Sequence, residues 1–434
     1  MLSTVVPALA AEQPTPQFST WATADLAEGE KYGIFPMEWY FDSFQEEISK
    51  ERLDALLTQT EAKIAAIGLE KNASFTPVDV DSTTLRGNVI NELFNIIAQY
   101  DLPVGDSAVA YMQERSILKG SSKGLGLDRV ATTEEAVLFA TRLIQDTYAI
   151  AEAGSKGVAW KVEKNGNLVY LLGSIHVGTP ELYPFSQKLL GAFNEADALL
   201  VEANLFDQEG MQYFANASML EEGKTIKDVV SSETYEKVLL VFEKYGLPAD
   251  ALAQMKPWSL ASYFSNLSLG EAIGMPAEQL ASLGIDMYFL TNALLTQKPI
   301  VELEGMKAQS DMFNGLSAEA QEQYLAETLD SILTPAEEGQ DEGALIKEWL
   351  GYWNEGDKDA FAESFNSTDA GSSEFETMLL GERDKNMAAK IAELLESDEK
   401  GTYFLVVGAG HFVGPETILF HLKNKGYEIE EFYQ

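Results

Sequence analysis

Two histidines stand in the same context, each three residues after a glycine that ends an apolar run. His176 follows Gly173 in VYLLGSIHVG, and His411 follows Gly408 in FLVVGAGHFVG, in a chain with only three histidines. Such apolar runs predict buried strands, and the small residues after them allow a tight turn at the strand's carboxyl end. Open α/β sheets bind ligands at that edge. We therefore expect the two imidazoles to meet at one metal or one substrate.

Carboxylates follow two further predicted strands. Glu202 interrupts the apolar run ADALLVEANL, and a carboxylate there is costly to bury unless it is paired or bound to a metal. The alternative is a strand-end glutamate bonded to backbone amides. In KPIVELEG, Glu302 and Glu304 alternate and so share one face of the strand. We expect one of these two to face the site.

The amino-acid composition excludes several classes of partner and of metal site. The 434 residues favour two domains, and the 30 basic against 69 acidic residues give a net charge of -39, which argues against nucleic acid and anionic membranes as partners. The chain has no cysteine, which excludes disulfides, thiolate zinc sites and cysteine nucleophiles. Any metal must therefore be held by histidine and carboxylate.

The periodicity predicts two different domains. Helical patterns at 20–36, 50–68 and 86–100 predict an all-α domain over 17–153. A second domain, 156–434, begins with alternating runs around Asn165-Gly166, a strong hairpin signal, and continues with strands and helices interrupted by a helical stretch over 206–297. The fold class that we predict for it is α+β, a mixed β-sheet with helices on both sides and a helical excursion.

The amino terminus resembles the end of a secretory signal. Residues 1–16 join a short apolar run to Ala-Leu-Ala-Ala and a proline-containing polar stretch, although a basic segment is missing. We expect this segment to be a residual signal peptide or disordered, and the protein to be secreted or associated with the cell wall. No other apolar run approaches the length of a membrane span, so we expect no transmembrane segment.

Parts of the amino-terminal region resemble diverged S-layer homology repeats. The resemblance rests on Lys119-Gly120 and Ala131–Ala136 (ATTEEA) in one repeat and, more loosely, on Ile48–Glu51 in another. It implies attachment to a cell-wall polymer. The alternative is a helical adaptor without a ligand.

The second domain resembles the TraB/GumN family, which is related to the Tiki metalloproteases. The residues that carry the resemblance, in the family's order, are Gly173–His176, Glu202, Gly284–Asp286, Lys298–Ile300, Leu303-Glu304, Gln309, Glu382–Asp384, Gly408–His411 and Gly414. The family often has Glu-Arg-Asn where this chain has Glu382-Arg383-Asp384. The resemblance implies a mixed sheet in which both histidines, a glutamate and an arginine share a cleft, and metal-dependent peptide hydrolysis in the Tiki branch.

These residues suit an open metal site. His176, Glu202 and His411 are expected to bind a divalent metal, Mn, Co or Zn, leaving positions for water. Glu304 is then expected to act as general base, and Arg383 to hold a substrate carboxylate or an anionic intermediate. No other cofactor is expected. The predicted function is a secreted or cell-surface metallopeptidase acting on a peptide or protein; the alternative is a non-catalytic protein that captures a peptide or small ligand.

Overall fold

The computed structural model describes residues 15–120, 124–248, 250–334, 342–367 and 374–433. These residues form two compact units. One contains the described residues of Pro7–Ser155 together with Thr179–Leu190; the other contains Lys156–Gly178 and those of Gly191–Gln434. The predicted signal segment, 1–16, lies almost wholly outside the described residues. The domain boundary near 153–156 and the independent folding of the two domains stay predictions.

The amino-terminal unit is helical, as the periodicity predicts. Its α-helices are α1 (Thr23–Lys31), α2 (Lys50–Ala65), α3 (Arg86–Ala98), α4 (Ala108–Glu114) and α5 (Thr133–Ile150). Helix α2 begins where the Ser49 side chain accepts a hydrogen bond from the Arg52 amide, and α5 begins with a capping box formed by Thr132 and Glu135. Each cap satisfies amides that the first helical turn leaves unpaired.

The second unit is built on a mixed sheet. Its strands within the described residues are β1 (Val158–Lys164), β2 (Asn167–Ser174), β3 (Ala198–Val201), β4 (Ile300–Glu302), β5 (Thr402–Gly408) and β6 (Glu430–Glu431). Strands β1 and β2 form the predicted hairpin, in which Asn165 and Gly166 have φ of 54° and 80°. Both residues tolerate positive φ, which this two-residue turn requires.

The order of the strands brings four carboxyl ends to one edge. The sheet runs β4-β3-β5-β2-β1-β6, and β4, β3, β5 and β2 are mutually parallel. Within that block Ser174 pairs with Gly408, and Val201 pairs with Val406 and Glu302. The residues that follow these strands therefore emerge side by side, at the edge where such sheets bind ligands.

Helices connect the strands. They are α6 (Gln187–Glu195), α7 (Gln208–Ala217), α8 (Ser232–Lys244), α9 (Pro257–Ile273), α10 (Ala277–Ser282), α11 (Ile285–Thr296), α12 (Met306–Gly315), α13 (Ala318–Leu333), α14 (Glu342–Glu355), α15 (Lys358–Ser367), α16 (Glu374–Leu379), α17 (Glu382–Glu396), α18 (Gly410–Val413) and α19 (Ile418–Asn424). Helices α7 to α11 are the predicted excursion.

The core lies on both faces of the sheet. On one face, Met387 and Ile391 of α17 are fully buried in a cluster with Leu405 and Val407 of β5. On the other face, Phe404 of β5 packs against Phe289 of α11 with ring centroids 4.9 Å apart. A side chain of this size contributes about 1.5–3 kcal/mol when it leaves water. This arrangement confirms the predicted α+β class.

One predicted strand is shorter than expected. The strand predicted for Lys298–Gly305 ends at Glu302, so Glu304 lies beyond the sheet. Its backbone turns because the Glu304 and Gly305 amides both donate to the Glu202 carbonyl. Separately, no helix among the described residues is long and apolar enough to cross a membrane.

Candidate functional site

His176 is held by a carboxylate from α11. Its Nδ1 lies 2.8 Å from Oδ2 of Asp286, whose other oxygen accepts a 2.7 Å hydrogen bond from the Ser174 hydroxyl. Gly284 makes this approach possible, because a Cβ there would lie 2.4 Å from the His176 carbonyl oxygen. The His176 side chain remains 38% exposed. The engaged Nδ1 leaves Nε2 as the ring nitrogen for a ligand or metal.

His411 is held in the same way, but deeper. Its Nδ1 lies 2.7 Å from Oδ1 of Asp384, a side chain with no exposed surface, and its own side chain is 5% exposed. The second Asp384 oxygen accepts from the Gly381 amide at the start of α17. A carboxylate behind each imidazole is the arrangement that orients histidine ligands in metal sites.

Glu202 lies between the two histidines and an arginine. Its Oε1 accepts a 2.6 Å hydrogen bond from the Gly408 amide and lies 3.6 Å from His411 Nε2. Its Oε2 accepts from Arg383 Nη2 at 2.9 Å. Burial raises the pKa of Glu202, but His411, Arg383, His176 and the Gly408 amide outweigh burial and bring that pKa down to about 2. Glu202 is therefore ionised at neutral pH.

Arg383 bridges two glutamates. Its Nε and Nη2 donate to the two oxygens of Glu304 at 2.8 and 2.7 Å, while Nη2 also reaches Glu202. Its Nη1 donates to the Leu379 carbonyl. Burial lowers the pKa of Arg383, and the two glutamates more than reverse this, so the net shift is upward. The two-pronged contact suits a guanidinium and cannot be reproduced by an ammonium.

The structure also decides between the two alternating glutamates. Glu304 contacts Arg383 and lies 3.4 Å from Gln309 Nε2. Glu302 instead accepts a hydrogen bond from the Asn204 amide, a backbone role. Both oxygens of Glu304 therefore accept hydrogen bonds from Arg383. Glu304 is the residue that the sequence analysis predicts as the general base.

A small space beside Gly408 is common to the three predicted ligands. A Cβ on Gly408 would lie 3.4 Å from Glu202 Oε1, 3.6 Å from His176 Nε2 and 3.7 Å from His411 Cδ2. Any side chain at 408 would occupy that space. At these distances a Cβ would make ordinary van der Waals contacts, so an alanine at 408 would fit but would fill this space.

The types of side chain at this site are suitable ligands for a metal. Two imidazoles and one carboxylate, with both Nδ1 atoms already engaged, are ligands that Mn, Co or Zn accepts. The 3.6 Å from His411 Nε2 to Glu202 Oε1 is near the roughly 3.3 Å between ligands of one tetrahedral ion. As the side chains stand, however, no group of three or more histidine, aspartate or glutamate side chains in the described ranges closes around a metal position.

Part of this site lines a cleft of about 830 Å³. His176, Glu202, Asp286, Arg383 and His411 all contribute to it. Apolar side chains from α11, α12, α13, α15 and α16 supply much of the remaining lining: Leu290, Met312, Phe313, Tyr324, Phe365, Phe375 and Leu379. The volume and the mixture of apolar surface with a few convergent polar groups are typical of ligand sites.

Sequence analysis did not assign roles to four polar residues of this site. Asp286 and Asp384 orient the histidines, Ser174 supports Asp286, and Gln309 donates to Glu202 at 3.3 Å. All four fall in the segments that carry the TraB/GumN resemblance, and Ser174 also lies within the first glycine-histidine motif. Their place in these segments was the signal in the sequence that could have marked them as site residues. The sequence does not show which side chain each of them contacts.

Comparison with curated proteins finds distant relatives. The chain is 23% identical over 308 residues to a protein named metalloprotease TIKI2 from Xenopus tropicalis, covering 62% of this chain and 59% of that protein. It is 23% identical over 302 residues to metalloprotease TIKI1 from Danio rerio, 60% of each. It is 29% identical over 143 residues to the uncharacterized protein YbaP from Escherichia coli (strain K12), covering 33% of this chain and 50% of that protein.

The chain thus spans about three-fifths of the length of the TIKI proteins it matches. No solved structure matches it significantly. The family model described as the TraB/PrgY/gumN family matches residues 158–431, well over half of the chain and nearly all of the second unit, including every residue of the site described above. The chain therefore belongs to the TraB/PrgY/gumN family.

Proposed function

We propose that the second unit is a metal-dependent hydrolase of peptide bonds. The observation that carries the proposal is the space beside Gly408, where His176 Nε2, Glu202 Oε1 and the His411 ring all lie within 3.7 Å of one point. A carboxylate behind each imidazole supports it further, since such pairs orient metal ligands. The TIKI relatives are named metalloproteases, which agrees with it.

His176, Glu202 and His411 would hold the metal in this proposal, with Mn, Co and Zn as candidates. When bound there, such an ion supplies Lewis-acid chemistry: it polarises a carbonyl oxygen and lowers the pKa of water. Asp286 and Asp384 engage the two Nδ1 atoms, which leaves both Nε2 atoms available to the metal. Glu202 needs no proton release for binding near neutral pH, because its pKa is already about 2.

Arg383 and Glu304 would supply the remaining chemistry. Arg383 stays positively charged and faces the cleft, so it suits a negative charge that develops on the substrate. Glu304 holds the guanidinium through both of its oxygens. We propose that it accepts the proton of the attacking water once substrate has drawn Arg383 partly away, and that it positions Arg383 before then.

A second candidate is a protein of the same fold that captures a peptide or small ligand without turnover. It is favoured by the complete engagement of Glu304 with Arg383, which leaves neither oxygen of that glutamate free to accept a proton in this arrangement. Both candidates predict binding in the cleft, and only the first predicts dependence on metal.

One experiment separates the two. Metal-stripped protein is incubated with Mn, Co or Zn, the bound metal is measured by mass spectrometry, and a peptide library is incubated with each sample with and without chelator. We expect one metal per chain and hydrolysis that stops on chelation and on His176→Ala substitution. Equal cleavage by the parent and by both His176→Ala and His411→Ala would contradict the hydrolase proposal and favour capture.

We propose that the protein is exported and that its helical unit attaches it to an anionic cell-wall polymer. The support is a cavity of about 480 Å³ within that unit, whose lining includes Trp21, the cations Arg86, Lys119, Arg129 and Arg142, and one carboxylate, Glu135, which pairs with Arg86 and Arg129. Four cations against one carboxylate in the lining make a positively charged cavity in a chain with a net charge of -39. In addition, Arg86 Nε is buried without a hydrogen-bond partner among the described residues.

The test is cosedimentation of the full chain with cell-wall sacculi before and after extraction of their anionic polymer. Arg129→Ala should weaken binding, whereas Arg115→Ala should not. The two arginines are similarly exposed and each pairs with a carboxylate, but only Arg129 lines the cavity. Equal binding by both variants, or binding that survives extraction, would contradict attachment through this cavity.

A further inference from the structure

The cleft carries an apolar patch that the proposed chemistry does not use. Met312, Phe313, Tyr324 and Phe375, here called the apolar wall, line the cleft and pack in one cluster. The Tyr324 and Phe375 rings stack with centroids 3.9 Å apart, and Phe313 stacks on Trp258 at 4.8 Å. Stacked rings form a firm surface, because neither can turn without displacing its neighbour.

The apolar wall is continuous with the polar centre through α12. Gln309 donates to Glu202, and Met312 and Phe313 follow it three and four residues later, on the same face of that helix. One helical turn is about 5.4 Å, while an extended peptide advances about 3.3 Å per residue. A peptide with its scissile bond at the polar centre therefore places a neighbouring side chain against the wall.

A purely structural role does not account for this surface. Met312, Tyr324 and Phe375 remain half-buried and line the cleft, although buried neighbours such as Trp258 show that the same cluster can enclose side chains fully. Apolar surface kept open beside convergent polar groups is typical of a site that takes an apolar ligand group.

We infer that the apolar wall binds a large apolar side chain of the substrate, Phe, Leu or Met, within two residues of the scissile bond. This inference rests on the proposed peptide hydrolase and names the class of peptide that the same cleft selects. Burying such a side chain favours its peptide over an alanine peptide by roughly ten- to hundred-fold. Glutamate at that position is disfavoured, because the side chains of Met312, Phe313 and Phe375 offer it no hydrogen-bond donor.

The test uses fluorescein-labelled octapeptides of serine and glycine with one variable residue: Phe, Leu, Ala or Glu. Cleavage by the metal-loaded full chain is followed by mass spectrometry, which maps the scissile bond, and kcat/KM is measured for each peptide. Binding of the same peptides is measured by fluorescence anisotropy with chelator present. We expect the order Phe and Leu, then Ala, then Glu in both measurements.

Met312→Glu is the diagnostic variant and Met211→Glu its matched control. Both methionines are half-buried and pack on the same cluster, but only Met312 lines the cleft. Met312→Glu should reduce the Phe-to-Ala ratio at least about five-fold, and Met211→Glu should preserve that ratio, which cancels any general loss of folded protein. Met312→Ser serves if the charged variant does not fold.

The outcomes separate this inference from the proposed function. If the four peptides bind in the expected order but none is cleaved, the proposed hydrolase activity is contradicted. The inference that the apolar wall binds a large apolar side chain would still hold. Cleavage or binding with no preference among the four peptides would overturn the inference. A preference that Met312→Glu and Met312→Ser leave unchanged would overturn it as well, because the selecting surface would then lie elsewhere.

Discussion

The imidazole of His411 and the carboxylate of Asp384 form a pair buried in the domain. His411 Nδ1 lies 2.7 Å from Asp384 Oδ1, with the two side chains 5% and 0% exposed. A buried carboxylate that loses its partner is strongly destabilising. His176, in contrast, is paired with Asp286 near the surface. The two histidines therefore differ in what they contribute to stability.

His176→Ala and His411→Ala should both abolish metal uptake and turnover, but only the second should destabilise the domain. We expect a loss of roughly 1–3 kcal/mol in the free energy of unfolding for His411→Ala, since Asp384 is left unpaired, and little change for His176→Ala. Calorimetry of bound metal and denaturant unfolding measure the two effects. His421→Ala is the control, because His421 lies on α19 outside the cleft. Undiminished metal binding by either variant would remove that histidine as a ligand.

Asp286→Ala should weaken metal binding without removing it. The ring of His176 loses the group that sets its orientation, and such losses cost about 10- to 100-fold in metal affinity. Titration with Mn, Co and Zn measures the effect. Asp311→Ala provides the control, because Asp311 is an exposed carboxylate of α12 that pairs with Lys307. An Asp286 variant that binds metal as tightly as the control would show that the pair has no orienting role.

Glu304→Gln and Arg383→Lys should keep metal and lose turnover. The amide cannot accept a proton and offers Arg383 no charge, so we expect kcat to fall by about 10²- to 10⁴-fold. The ammonium cannot span both glutamates, and kcat should fall by roughly 10²- to 10³-fold. If Glu304→Gln loses metal while Glu202→Gln retains it, the roles of ligand and base are reversed between these two glutamates.

Glu202 should make the metal-free protein sensitive to acid. Its pKa is about 2 in the folded chain, below the usual value of 4.5, so the ionised form stabilises the fold above about pH 4.5. That stabilisation is lost as pH falls from about 4.5 through 2. Urea unfolding across this range should show a shallower slope against pH for Glu202→Gln than for the parent. Parallel slopes would contradict the lowered pKa.

A fragment covering Lys156–Gln434 should fold and yet associate with itself. It retains the sheet and the cleft, but it also retains Thr179–Leu190, a segment that groups with the helical unit. Leu182, Tyr183 and Phe185 in that segment are 1% exposed in the full chain and would lose neighbours. Circular dichroism and size-exclusion chromatography test this. A fragment without secondary structure would show that the two domains do not fold independently.

Local pattern was sufficient for the sheet and for the convergence of the main site residues. Apolar runs ending in glycine predict strands, and parallel strands bring their carboxyl ends to one edge, so His176, Glu202 and His411 could be assigned to a common site from sequence. The alternating pattern predicts that Glu302 and Glu304 share one face of the strand. It does not show which of the two reaches the site.

The family resemblance implied that Arg383 shares the cleft, but the contacts that each of these residues makes were decided by tertiary structure alone. Asp286 is 110 residues from His176, and Arg383 is 181 residues from Glu202. Which helix residue meets which strand end depends on how α11, α12 and α17 pack on the sheet, and a shift of one helical residue turns a side chain by about 100°. No local propensity encodes that rotation. For the same reason the apolar wall, which joins α12, α13 and α16 around one cleft, had no signal in the sequence beyond the apolar periodicity that any core helix shows.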